Sequence, residues 1–384
     1  MNIPDQLASQ TPCLLLNKSR LQNNIDKMIS RYAKTNITLR PHLKTSKSIG
    51  VTNLFRDAGI NKFTVSTLKE AEYFANNGIK DLFYAVSIVA NKIGRVVKLN
   101  NQGANISICV DSVETVEALN QSNIDKPVDL YIEINVDNHR TGVNPEDKRQ
   151  LISIASKVDE SNKLNFKGVF AHAGESYSCT NLKEIKNAAD NERKLTCRAA
   201  QHIRDAGLNC PVISVGSTPT VSVGGDFYEV NEVRAGVFTF QDLFQSNLGS
   251  CKQQEIALSV LTSVISHSPV NNRLVIDAGG MALSKDRSTA SQKDDCKYGL
   301  VTDVDGNIID NLIVDAVNQE HGYVTTIDGS PVNFTDFSLG RLLRVLPNHA
   351  CMTAAAHSGY HVVEKDEASG EENVTDFWSR VGGW

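Results

Sequence analysis

The 384-residue sequence has few of the marks that assign a chain to a specialised class at sight. It carries no basic excess: 39 Lys and Arg stand against 44 Asp and Glu, for a net charge of −5. A nucleic-acid binder would show a basic footprint, so nucleic acid is not expected as a partner. No apolar run approaches the roughly 20 residues that span a bilayer, so no membrane role is expected. The opening MNIPDQLASQTPCLLLNKSR has neither a basic region nor a long apolar stretch. We read no signal peptide in it and expect a cytoplasmic protein. Eight cysteines are scattered along the chain without a CxxC pair. In a reducing compartment most of them should be free and structural. No internal repeat or low-complexity tract stands out, and no GxGxxG follows the first strand-like run, which argues against a dinucleotide fold.

What is present is alternation. Short apolar runs are each followed by a polar or amphipathic stretch: CLLL (13–16), ITLRPHLK (37–44), KFTVST (62–67), DLFYAVS (81–87) and NISICVDS (105–112). VDLYIEINV (128–136), FKGVFAHAG (166–174), PVISVGS (211–217) and EVRAGVFTF (232–240) continue it. About eight β-then-α units over roughly 240 residues is the arithmetic of a (β/α)8 barrel. After about residue 250 helical spacing becomes scarce and strand-like runs dominate. The fold class expected is α/β: an N-terminal barrel over 1–250 and a β-rich domain over 251–384. The polar segment 284–298 reads as a loop.

Barrel active sites lie at the C-terminal ends of the strands. Several unusual stretches fall there. LRPHLKTSKS (39–48) places Lys44 and Lys47 behind a Pro-His pair. NVDNHRTGV (135–143), HAGESY (172–177) and VGSTPT (215–220) end three further runs. A Gly/Ser/Thr loop offers hydroxyls and free N–H groups to a phosphate. A lysine amine and a phosphate loop together suit pyridoxal phosphate.

RPHLKTSK, HRTGV, HAGESY, VGSTPT, EVRAGVFTF and EHG occur in order over nearly the whole chain. Together they resemble the D-serine dehydratase / D-threonine aldolase family of pyridoxal-phosphate enzymes with the alanine-racemase-like fold. The resemblance implies a (β/α)8 barrel, a β-rich C-terminal domain, a homodimer and a divalent metal beside the cofactor. Carried over residue by residue, it makes Lys44 the Schiff-base lysine and catalytic residue. Arg140 and Tyr177 would touch the pyridoxal ring or its phenolic oxygen, and His172 would line the pocket. Gly216, Ser217 and Thr218 would hold the phosphate. Lys47 reads as a surface charge at a helix start. Ala235 stands where the family usually has proline.

LPNHACMTAAAH (346–357) places His349 and Cys351 two residues apart. In an extended segment both would face one way. Imidazole with thiolate suits Zn2+, and the resemblance puts the metal ligands here; Mn2+ or Mg2+ are the harder alternatives. His357 is a third candidate. The family's dehydratases tend to carry cysteine at the second position and its D-threonine aldolases aspartate, so Cys351 favours dehydration. The reaction implied is elimination of water from a small D-β-hydroxy amino acid, D-serine or D-threo-3-hydroxyaspartate, giving a 2-oxo acid and ammonia. Two alternatives use the same parts: retro-aldol cleavage to glycine and an aldehyde, and racemisation, for which Tyr298 or Tyr323 would supply a second acid–base group. A non-catalytic carrier of the cofactor is a third class; the long β-rich region and the His349/Cys351 pair argue against it.

Overall fold

The computed structural model describes residues 3–138, 140–366 and 368–384. The chain divides into two compact units: one joins the residues up to Lys27 to Val237–Gly382, and the other is essentially Met28–Gly236. The sequence expectation was a single boundary near 250. The difference begins at strand β1 (Cys13–Asn17), which pairs antiparallel with a strand at Leu258–Ser268 and parallel with one at Gly359–Lys365. CLLL therefore opens the C-terminal sheet, not the barrel. A short apolar run buried on both faces fits either sheet, and local pattern does not choose.

The second unit is the barrel. Its strands are β2 (Thr38–Leu39), β3 (Lys62–Val65), β4 (Asp81–Tyr84), β5 (Asn105–Val110), β6 (Val128–Ile134), β7 (Leu164–Ala171), β8 (Val212–Val215) and β9 (Glu232–Val233). These eight run parallel in the order β2-β9-β8-β7-β6-β5-β4-β3. A parallel bridge between His42 and Thr64 joins the two ends of that order. The strands are nearly continuous apolar runs, as sheets covered on both faces require. Their helices start at side-chain caps that the sequence displays: Thr67, Ser112, Asp147, Asn181 and Ser217 each accept a hydrogen bond from a backbone N–H in the first helical turn. Inside the barrel Phe83, Cys109, Tyr131 and Phe170 pack together. Beside them lies a polar layer: Arg40 bonds Glu232 (2.6 Å) and Asp81 (2.7 Å). Burial alone would lower the Arg40 pKa; the two carboxylates outweigh it and hold the guanidinium firmly charged.

The first unit is built on a nine-stranded sheet. It adds to β1 the strands β10 (Leu258–Ser268), β11 (Arg273–Ile276), β12 (Leu300–Thr302), β13 (Ile308–Val317), β14 (Gly322–Thr326), β15 (Leu342–Leu346), β16 (Gly359–Lys365) and β17 (Glu372–Ser379). The order is β11-β14-β13-β12-β15-β10-β1-β16-β17. β10 pairs with β15 through Val260–Ser263, then with β11 beyond an irregularity at Val264/Ser266, which closes part of the sheet on itself. The strand-like runs read from sequence correspond to β10, β11, β13, β14 and β15; β12, β16 and β17 went unread. All eight cysteines are free, and six of them are buried. Among the described residues no helix is long and apolar enough to cross a membrane.

Candidate functional site

In the barrel unit, the sequence-predicted residues gather at the C-terminal strand ends. Lys44 sits two residues beyond the His42–Thr64 bridge, on a turn that starts at Leu43. Its backbone N–H donates to His42 Nδ1 (3.3 Å), so that nitrogen is unprotonated. His42 is pushed well below its usual pKa by burial and by the positive charges of Lys44 and Arg234. His172, just after β7, donates from Nδ1 to the Gly216 carbonyl (2.9 Å). Burial, with the charges of Lys44 and Arg140, takes its pKa down to about 3. Both imidazoles are therefore neutral at physiological pH. The Tyr177 ring lies 6.1 Å from that of His172, tilted by 38°.

Gly216 is the pivot of the loop after β8. Its φ of +135° belongs to glycine, and a Cβ there would stand 2.3 Å from the Arg234 carbonyl oxygen. Ser217 then caps the helix Thr218–Val223 in a capping box with Thr220. The Ser217 and Ser176 hydroxyls lie 2.7 Å apart, which brings the ends of β7 and β8 together. Arg140 is exposed; its carbonyl accepts from Asn135 Nδ2 (3.0 Å), and the next residue, Thr141, bonds Glu133 (2.9 Å). His139 of the HRTGV motif lies outside the described residues.

Two contributors here, Glu192 and Arg234, were not read from sequence. Glu192 is fully buried, and its carboxylate accepts from Ala173 N (2.9 Å), Gly216 N (2.8 Å) and Thr220 Oγ1 (3.1 Å). It ties the His172 loop to the Gly216 loop. Burial raises its pKa to about 7. Glu192 falls on the buried stripe Ile185–Ala188–Ala189–Thr196–Ala199 of its helix. Arg234 is buried, bonds Ser214 Oγ and the Ala171 carbonyl (both 2.5 Å), and lies over the Phe170 ring. Lys47 needs a correction: it is no surface charge, because its Nζ lies 3.1 Å from the buried carboxylate of Glu70.

In the first unit, His349 and Cys351 are brought into hydrogen-bonding contact, but not along an extended segment. His349 is the residue before the short helix Ala350–Ala354, and Cys351 lies in its first turn. The helical turn, not strand alternation, presents both groups together. His349 Nδ1 lies 3.2 Å from Asp286 Oδ2, an arrangement that fixes the ring. Burial would lower the His349 pKa; bonds to Asp286 and Cys351 outweigh it and raise it to about 11. The pocket thus favours positive charge, and an imidazole–thiol pair is a donor set suited to zinc. Asp242, buried, accepts from Ala350 N (3.0 Å) and secures the turn. His357 is directed elsewhere: its Nε2 bonds the Ala282 carbonyl (3.0 Å). Among the described residues no group of three or more His, Cys, Asp and Glu side chains is placed to hold a metal ion.

Known families match both parts of the chain. Residues 16–243 match the family described as "Alanine racemase, N-terminal domain", and residues 257–363 match the "Putative serine dehydratase domain". The D-threo-3-hydroxyaspartate dehydratase of Delftia sp. (strain HT23) is 39% identical over 98% of this chain and 99% of its own length. The D-serine dehydratase of Dictyostelium discoideum is 31% identical over 93% of this chain and 94% of its own. A solved structure of a cysteine-to-alanine variant of D-threo-3-hydroxyaspartate dehydratase, described as metal-free, superposes with a TM-score of 0.92 at 38% identity, covering 98% of each chain. The chain belongs to the alanine-racemase-like family, with an alanine racemase N-terminal domain followed by a serine dehydratase domain.

Proposed function

We propose that this chain is a pyridoxal-phosphate- and metal-dependent lyase that eliminates water from a D-β-hydroxy amino acid, D-threo-3-hydroxyaspartate or D-serine, giving a 2-oxo acid and ammonia. The contact between His349 and Cys351, backed by Asp286, carries this reading. The full-length relatives named as dehydratases support it, as does the metal-free cysteine variant among their structures. The barrel residues fit the cofactor: Gly216 leaves a cradle that any Cβ would fill, paired serine hydroxyls lie beside it, and a neutral His172 ring offers an apolar face.

When bound, pyridoxal phosphate supplies an electron sink for charge left at the substrate Cα, and the metal a Lewis acid for the departing hydroxyl. Lys44 Nζ would hold the cofactor and would take the substrate α-proton. Gly216, Ser217 and Thr218 would hold the phosphate, Gly216 by leaving the room that a Cβ would fill. Arg140 and Tyr177 would orient the ring. His172, unprotonated, adds no positive charge beside it. His349 and Cys351 would hold the metal, zinc by the softness of the pair, and Asp286 would orient the imidazole toward it. The working form is proposed to be a homodimer.

The test is product analysis of the purified protein with pyridoxal phosphate and zinc on D-serine, D-threonine and D-threo-3-hydroxyaspartate. Oxo acid with equal ammonia is expected. Glycine with an aldehyde would make the chain an aldolase and remove Cys351 as the discriminating residue. Lys44→Ala should abolish the visible absorbance of the bound cofactor; its retention would remove Lys44 from the mechanism.

A further inference from the structure

The second lysine of LRPHLKTSKS has no part in the chemistry above, yet its surroundings are constructed. Lys47 Nζ lies 3.1 Å from Glu70 Oε1, with the two side chains 16% and 1% exposed. Glu70 also accepts from Ser66 N (2.9 Å) and Ser66 Oγ (3.2 Å). It stands in the first turn of the helix Leu68–Asn76, which follows β3. The Lys47 backbone has a φ of +47°, a left-handed conformation that is costly for a residue with a Cβ and free for glycine. Its N–H closes a turn onto the Leu43 carbonyl (2.8 Å), and Lys44 lies within that turn. At the other side, Leu43 N–H bonds the Thr64 carbonyl (2.8 Å), and just beyond Lys47 the Ile49 N–H bonds Tyr73 Oη (3.2 Å) on the Glu70 helix.

The turn bearing Lys44 is thus attached at one end to β3 and at the other, through an ion pair, to the helix that follows β3. A lysine in a strained conformation here is explained by its side chain. We infer that Lys47 is a positioning residue: paired with Glu70, it sets the turn that aims Lys44 at the cofactor. The inference rests on the proposed role of Lys44. A bland alternative is that Lys47 only neutralises a buried carboxylate. The two differ in what the variant does to a folded protein.

The experiment compares Lys47→Met, Lys47→Arg and Lys44→Ala with the unaltered chain. Folding is checked by circular dichroism, and pyridoxal phosphate is titrated by visible absorbance across pH. Folded Lys47→Met should bind the cofactor at least about tenfold more weakly. The pH midpoint of its absorbance should move, because the amine environment has changed. Lys47→Arg, which can restore the ion pair, should recover both. Wild-type affinity and midpoint in folded Lys47→Met would overturn the inference. If Lys47→Met does not fold, Lys47→Met with Glu70→Gln removes the unpaired charge; the double variant should fold and still bind weakly, and wild-type binding there would overturn it equally. The two readings fail separately. Retained absorbance in Lys44→Ala sinks the proposed function, whereas a silent Lys47→Met beside a colourless Lys44→Ala sinks only the role of Lys47.

Discussion

Glu192→Gln tests the polar scaffold under the cofactor loop. In the folded chain Glu192 is fully buried with a pKa of about 7, raised by burial from 4.5. A raised carboxyl means that the folded state holds the proton between those two values while the unfolded chain has released it. Stability is therefore lost as pH rises from 4.5 through 7. At 1.36 kcal/mol per tenfold change in proton affinity, the ionised carboxylate costs about 3 kcal/mol above pH 7. Glutamine mimics the protonated acid. Its oxygen can accept from Ala173 N and Gly216 N, and its amide can donate to Thr220 Oγ1, which occupy the sites the carboxylate now uses. The variant should match the unaltered chain near pH 4.5, gain on it steadily, and lead by about 3 kcal/mol at pH 8. The assay is urea unfolding of both proteins across that range, because the difference between them cancels every other titration. A constant difference, or a glutamine variant that is less stable at pH 8, would show that Glu192 is stabilised as an anion and would refute the reasoning.

Four further outcomes follow from the same geometry. Gly216→Ala forces a Cβ against the Arg234 carbonyl at positive φ, so it should lose at least about 2 kcal/mol of stability and bind pyridoxal phosphate poorly, read by thermal melting and absorbance titration. Cys351→Ala should abolish bound zinc, measured by elemental analysis, and elimination activity, while leaving the cofactor absorbance unchanged; a full complement of metal would remove Cys351 from the ligand set. Asp286→Asn should weaken zinc by about 10–100-fold in a competition titration, because it removes the charged partner of His349 Nδ1. His172 stays neutral down to about pH 3 in the folded chain but charges near 6.5 when unfolded, so stability should fall as pH drops below 6.5, and His172→Gln should fall less steeply in acid unfolding.

The motifs legible in sequence were those in which residue type and local spacing already state the chemistry. The Lys44 amine and the hydroxyls of the Gly216–Thr218 loop suggest a chemistry by residue type, whereas the His349/Cys351 pair was read as a metal site from the family resemblance and not from its spacing. The alternation of apolar runs with helical stretches was enough for the barrel, because eight buried parallel strands leave eight similar marks. Glu192 and Asp286 were not legible in this way. A charge gains meaning only when the fold removes it from water and gives it partners many residues distant, and nothing beside Glu192 in the chain announces Gly216.

By itself, the amino-acid sequence determined the order of elements, the places where helices begin, and which groups could act as amine, phosphate loop and metal donors. These follow from periodicity, capping and side-chain chemistry, all of which act over a handful of residues. Only the tertiary structure decided that β1 joins the C-terminal sheet, that Lys47 pairs with the buried Glu70, and that a helical turn brings His349 to Cys351. Each of these depends on which distant strand or helix covers a given face, and the burial that results sets the protonation states on which the chemistry rests.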